Sequence, residues 1–249
     1  MALPIALQLY SVRERLAEDF VGTVKAVAEM GYVGVEPAGF PGTTAKEAAS
    51  LFQDLGLEVP SCHTGMPVGE DKKKVLDEMA ALGCKNIVSG KGSEDYNSPD
   101  QIKTTCGLLN EAAANAKEAG LSFGIHNHWW EFVEVEGRLP YDIALETLSE
   151  EVFFELDTYW IQVAGQDPAE MVKRYGARVK LLHIKDGPCQ KDQPMTAVGQ
   201  GKMDFPPLIQ AAGDAEYLIV ELDSCATDMM QAVRDSLDYL AGEGLGERR

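Results

Sequence analysis

Glu118-Ala119-Gly120-Leu121 ends an amphipathic stretch on a glycine and opens an apolar run that reaches His126. A glycine at that point supplies the left-handed residue that stops a helix. The same phrase recurs as Glu29-Met30-Gly31-Tyr32, Asp54-Leu55-Gly56-Leu57 and Ala81-Leu82-Gly83-Cys84, with Gly176 after a later helical stretch. Each reads as a helix stop leading into a strand. Working outward, eight short apolar runs appear, at 5–9, 33–36, 57–61, 86–89, 121–126, 152–157, 179–184 and 218–222. The segments between them carry apolar residues at helical spacing: Leu16, Phe20, Val24 and Val27; Ile102, Cys106, Leu109 and Ala113; Met230, Val233, Leu237 and Leu240. Ser98-Pro99 and Asp167-Pro168-Ala169-Glu170 each place a cap before a proline at the first helical position.

Eight alternating strand–helix units in 249 residues predict an α/β fold, a closed (β/α)8 TIM barrel, whose typical size is about 250 residues. No linker interrupts the series, so residues 1–249 read as a single barrel domain. An open doubly wound sheet is the rival, but its first strand is normally followed by a glycine-rich turn, and Tyr10-Ser11-Val12-Arg13-Glu14 is not one.

Apolar residues make up 45 % of the chain and charged residues 25 %, enough to bury a sizeable core. Lys+Arg is 22 and Asp+Glu is 40, so the net charge is 22 − 40 = −18. Such a surface repels phosphate backbones and anionic lipid, so neither nucleic acid nor membrane is expected as a partner. No apolar run approaches the roughly 18 residues that span a bilayer. The opening Met1-Ala2-Leu3-Pro4 lacks a basic leader segment. Five cysteines (Cys62, Cys84, Cys106, Cys189, Cys225) form no C-x-x-C pair and suggest reduced thiols and a cytoplasmic location.

In a barrel of this kind the reactive side chains stand at the C-terminal ends of the strands. The second run ends in Glu36, the third in Ser61-Cys62-His63 and the fifth in His126-Asn127-His128. The sixth ends in Asp157-Thr158-Tyr159-Trp160, the seventh in His183-Ile184-Lys185-Asp186, and the eighth carries Glu221 and Asp223. The chain has four histidines, and His63, His126, His128 and His183 all fall at or just past a strand end. A lone histidine there is ordinarily a core-edge residue bonded to a carbonyl. The set together with Asp157 and Glu221 predicts a divalent metal site of Mn²⁺, Mg²⁺, Co²⁺ or Zn²⁺ type. Side chains alternate along a strand, so His126 with His128, Asp157 with Tyr159, and His183 with Lys185 are each expected to share a face. Cys62 beside His63 is discounted as a thiol–imidazole pair, because neighbours on a strand point apart. Trp129, Trp130, Tyr159 and Trp160 offer flat walls suited to sugar faces, although for Trp130 ordinary packing between barrel and helices is the preferred reading. Gly199-Gln200-Gly201 reads as a tight turn that positions a loop, without the basic residues a phosphate group asks for.

The segments Gly124-Ile125-His126-Asn127-His128-Trp129-Trp130-Glu131-Phe132, Leu156-Asp157-Thr158-Tyr159-Trp160, Leu182-His183-Ile184-Lys185-Asp186-Gly187, Gly199-Gln200-Gly201 and Val220-Glu221-Leu222-Asp223 resemble the sugar-phosphate isomerase/epimerase family. Its xylose-isomerase-like barrels include D-tagatose 3-epimerase, inosose dehydratase and endonuclease IV. The resemblance spans nearly the whole chain. It implies one divalent metal held by Asp157, His183, Glu221 and a strand-five residue. Where the epimerases have glutamate, this chain has His126, with His128 as the alternate. Only one of the two glutamates that move protons in the epimerases, Glu221, is then left. Endonuclease IV chemistry is disfavoured by the acidic balance.

The expectation is a metal-dependent isomerase or epimerase of a small keto-sugar or polyol, which removes a proton α to a carbonyl. Glu221 is the first choice of base, with Glu36 or Lys185 as the second acid/base group. His63, His128, Tyr159 and Trp160 are candidate substrate contacts. The alternatives are a dehydratase or lyase of a keto-sugar or keto-inositol, and a sugar-binding barrel without catalysis. A small carbohydrate is the expected partner, and a homo-oligomer stays open.

Overall fold

The computed structural model describes residues 2–249. Its strands are β1 (Leu3–Gln8), β2 (Gly34–Glu36), β3 (Cys62–His63), β4 (Asn86–Ser89), β5 (Ser122–His126), β6 (Phe153–Asp157), β7 (Val179–Ile184), β8 (Tyr217–Val220) and β9 (Gly246–Glu247). Between them run α1 (Arg13–Glu18), α2 (Phe20–Met30), α3 (Ala45–Asp54), α4 (Lys72–Leu82), α5 (Pro99–Glu118), α6 (Pro140–Thr147), α7 (Thr158–Val163), α8 (Pro168–Tyr175), α9 (Phe205–Ala211) and α10 (Met229–Gly242). The first eight strands follow the order β2-β1-β8-β7-β6-β5-β4-β3, all parallel, with β9 added outside on β1. The seam between β2 and β3 is drawn together by the bridge Gly34↔Glu58. There Glu58 N–H donates to Val33 O (3.0 Å), Val35 N–H to Glu58 O (2.9 Å) and His63 N–H to Pro37 O (2.8 Å). A Cβ on Gly34 would come 2.6 Å from Glu58 O, so the seam needs glycine at that position. The eight-stranded barrel expected from the sequence is the fold observed.

The third strand differs from expectation. The run 57–61 touches β2 through Glu58, but the regular ladder forms only at Cys62–His63. Pro60 has no N–H to give a ladder. The face read through Leu16 and Phe20 is likewise cut in two, because Asp19 turns extended and caps α2 by accepting from Gly22 N–H. The helix stops behave as read: Gly31, Gly56, Gly83, Gly120 and Gly176 all have positive φ. Thr44 and Glu47 form a reciprocal capping box at the start of α3.

Inside the barrel the pleat stacks side chains in layers. Ala6, Val88, Phe153, Leu181 and Ile219 make an apolar floor. Gly124 makes room for it, since a Cβ there would lie 2.3 Å from the Phe153 ring. Two residues further along, the inward positions of β2, β5, β6 and β7 hold Glu36, His126, Glu155 and His183, and Glu221 follows directly on β8. The change from hydrocarbon to titratable groups therefore happens within one step of the alternation.

Candidate metal centre

Four side chains at or just past the ends of four strands close a ring at the mouth. The ligand atoms of His126, Asp157, His183 and Glu221 lie within 4.8 Å of one another, and all four residues are buried. His126 Nε2 faces Asp157 Oδ2 at 3.4 Å, and His183 Nδ1 lies 2.8 Å from Glu221 Oε2. Asp157 is fixed from both sides. Its Oδ1 caps α7 by accepting from Trp160 N–H (3.0 Å), which leaves Oδ2 for the ring. Asn127 ties the ends of β5 and β6 together, accepting from Asp157 N–H (2.9 Å) and donating to Asp157 O (3.2 Å). Thr158 Oγ1 donates to His183 O (2.9 Å) and locks β7 to β6.

Lys185 stands in the same ring. Its Nζ is 2.8 Å from Asp157 Oδ2, 2.7 Å from Glu221 Oε2 and 2.9 Å from Asp223 Oδ2. Burial alone would lower its pKa, but those three carboxylates outweigh burial and hold it well above the ordinary lysine value. Burial would raise Asp157, yet Lys185 and His126 bring it down to about 2. Glu221 lies well below the usual carboxylate range because Lys185 and His183 overcome its burial. Burial pushes His126 down to about 3, so its imidazole is neutral and keeps a lone pair for a cation. His126 Nε2 is buried and completes no hydrogen bond, whereas Asp157 Oδ2 is faced by the Lys185 ammonium. An unpartnered imidazole nitrogen facing a carboxylate oxygen inside a ring of imidazoles and carboxylates suits a divalent cation.

The other expected residues are distributed around this ring. Glu36 and His63 meet beside it, His63 Nε2 being 2.8 Å from Glu36 Oε1. Glu36 is fully buried there and accepts from Gln8 Nε2 and Ser61 Oγ, both at 2.6 Å. His128 stands outside the quartet, because β5 ends at His126. Its ring stacks on Trp130 with centroids 4.1 Å apart and its Nδ1 lies 3.5 Å from Glu131 Oε1. Tyr159 does not share the inward face of Asp157, since α7 begins at Thr158 and ends the alternation. The Tyr159 hydroxyl accepts from Cys189 N–H (3.1 Å) under the loop after β7. The half-buried Trp160 flanks the ring with its centroid 5.7 Å from Lys185 Nζ.

Gly199-Gln200-Gly201 is the positioning turn that the sequence suggested. The Asp186 carboxylate accepts from Gly187 N–H (2.8 Å), Gly199 N–H (2.9 Å), Gly201 N–H (2.9 Å) and Met203 N–H (3.1 Å). A Cβ on Gly201 would fall 2.0 Å from Asp186 Oδ1. The residue that the sequence reading passed over is Glu155, fully buried two positions before Asp157. The signal was present: a period of two points back from Asp157 to Glu155 as well as forward to Tyr159.

Parallel strands closed into a barrel, with imidazoles, carboxylates and a lysine converging at their C-terminal ends, define an enzyme of the (β/α)8 class. The model of the xylose isomerase-like TIM barrel family matches residues 24–242, and the chain belongs to that family. It is 27 % identical to an inosose dehydratase of Clostridium perfringens, the match covering 71 % of this chain and 69 % of that enzyme. A sugar phosphate isomerase/epimerase from Parabacteroides distasonis superposes with a TM-score of 0.85 at 26 % identity, covering 99 % of this chain and 96 % of that one. A zinc-bound IolI protein shares the fold, with a TM-score of 0.76 at 15 % identity over 97 % of this chain and 99 % of that one. Among the described residues no helix is long and apolar enough to cross a membrane.

Proposed function

We propose that the chain is a metal-dependent dehydratase of a small keto-sugar or keto-polyol, acting as one barrel domain. The observation that carries this reading is the pairing of Glu221 with Lys185 at the mouth, a carboxylate and a fixed ammonium 2.7 Å apart. Epimerisation of the two-glutamate kind needs a base on each face of the substrate. The strand-five position of the ring here is His126, a neutral imidazole. Loss of water instead needs one base and one acid, and those are the groups present. The inosose dehydratase relative supports the same reading. The zinc of the IolI protein belongs to that protein; what supports a metal here is the buried quartet and the unpartnered Nε2 of His126.

His126, Asp157, His183 and Glu221 are the residues that would hold the cation. When bound, a divalent ion supplies Lewis acidity that polarises a substrate carbonyl and makes the neighbouring C–H more acidic. Glu221, at the rim and 5 % exposed, takes the proton α to that carbonyl. Lys185, held protonated by Asp157, Glu221 and Asp223, gives a proton to the departing β-hydroxyl, which leaves as water. Trp160, beside Lys185, and His128 are the side chains proposed to contact the substrate. Turnover of keto-inositols and ketohexoses in D₂O tests the proposal. The product loses the mass of water, Glu221→Gln stops both deuterium uptake and water loss, and Lys185→Met stops water loss while exchange at the α-carbon continues. A product of unchanged mass with a moved or inverted centre overturns the dehydratase reading in favour of the isomerase/epimerase one. The similarity to the Parabacteroides distasonis protein supports that second reading.

A further inference from the structure

Beside the mouth ring, a second set of metal-ligating side chains, called the lower ring, converges inside the barrel, and the proposed reaction uses none of them except His183. Glu36, His63, Glu155 and His183 each offer one ligand atom, and the four atoms lie within 4.8 Å of one another. We propose that this lower ring is a divalent-cation site in its own right, ligated by Glu36 Oε1, His63 Nε2, Glu155 Oε2 and His183 Nε2. It goes beyond the reading of the mouth and shares one side chain with it.

Three observations support it. The first is spacing. His63 Nε2 is 2.8 Å from Glu36 Oε1, and His183 Nε2 is 3.2 Å from Glu155 Oε2 and 3.4 Å from Glu36 Oε1. His63 Nε2 also touches Glu155 Oε2. Donors about 2.0–2.2 Å from one ion stand roughly 2.8–3.6 Å from each other, whether four or six surround it. The second is an unpartnered atom. His183 is completely buried, and its Nε2 points between the two glutamates without completing a hydrogen bond; Glu155 Oε1 is likewise unsatisfied. The third is charge. Glu36 and Glu155 are both fully buried, and among the described residues neither pairs with a lysine or arginine. The upper ring has Lys185 against its carboxylates. The lower ring has two carboxylates and two imidazoles with no lysine or arginine among them, which is a zinc-like donor set. A partial route in exists through His63, whose side chain is 21 % exposed.

His183 ties the rings together, with Nδ1 toward Glu221 of the mouth and Nε2 toward Glu36 and Glu155 of the lower ring. A neutral imidazole has one lone pair. Filling both rings at once therefore strips His183 of its last ring proton, which goes to solvent.

Zinc is the probe. Crystals of the wild-type protein equilibrated with Zn²⁺ are measured at the zinc edge, and metal content is determined in solution. The expected anomalous peak lies between Glu36, His63, Glu155 and His183. It persists in Asp157→Asn/Glu221→Gln, which disables only the mouth, and is lost in Glu36→Gln/Glu155→Gln, which retains a mouth peak. Glu155→Gln alone, with circular dichroism as the folding check, serves if the double variant does not fold. Peaks confined to the mouth, or none in either ring, overturn the lower site and leave a protonated His63 as the group that offsets the two glutamates. Loss of the mouth peak alone in every crystal would sink the mouth reading and leave this one standing.

Discussion

The floor of the barrel and its mouth are built by the same strands, a few residues apart, and they follow opposite rules. On β6 the floor residue is Phe153 and the mouth residue Asp157; on β7 the floor residue is Leu181, and Lys185 stands at the mouth just past the strand's end. At the floor each side chain buries hydrocarbon against hydrocarbon and needs no partner of a particular charge. At the mouth each side chain is fixed by a specific neighbour, such as Trp160 N–H on Asp157 or Asp223 on Lys185. The floor contributes stability, and the mouth holds buried charge in place for chemistry at a cost in stability.

Phe153→Ala tests the floor most severely. Truncating a fully packed aromatic costs about 3–5 kcal/mol, read as a fall in the urea midpoint, while the folded fraction still binds metal at the mouth. Loss of metal binding from the folded fraction would break the division between the two ends. The next effect is at the mouth. Asp157→Asn keeps an oxygen to cap α7 but removes the ligand charge. Metal affinity is expected to drop beyond the roughly 10–100-fold that loss of a mere supporting partner costs, with little change in melting temperature. A melting temperature that collapses instead would make Asp157 a structural residue.

The third effect sharpens the comparison through pH. Burial alone would lower His183, but Glu155, Glu221 and Glu36 hold its pKa well above the ordinary histidine value. The metal-free protein thus carries a proton on His183 through neutrality, and a cation must displace it. Affinity is expected to rise with pH by about tenfold per unit for one released proton, as titration calorimetry in buffers of different ionisation heat would show. A flat profile would mean that His183 is not a ligand. Smallest is Thr44→Ala, far from both ends. It removes a capping box at a cost of about 1 kcal/mol, with turnover unchanged.

Much of this was legible in the chain itself. Gly31, Gly56, Gly83, Gly120 and Gly176 mark helix ends because only glycine takes the left-handed conformation cheaply. Four histidines at strand ends located the mouth before any coordinates. Other features lay beyond the sequence. Asn127 and the end of β5 decide that His126 and not His128 enters the ring. The switch from strand to helix after Asp157 removes Tyr159 from the inward face and leaves Glu155 there. Pro60 delays the third ladder to Cys62–His63.

The sequence determined the elements, their order and the set of side chains available, because helix stops, caps and the strand period are local properties of the backbone. The tertiary structure alone decided which of those side chains share a layer. That depends on how far each strand is staggered against its neighbour around the closed barrel. Asp157 pairs with His183, and His126 with Glu155. A stagger is set by contacts between residues far apart in the chain, which no local pattern encodes.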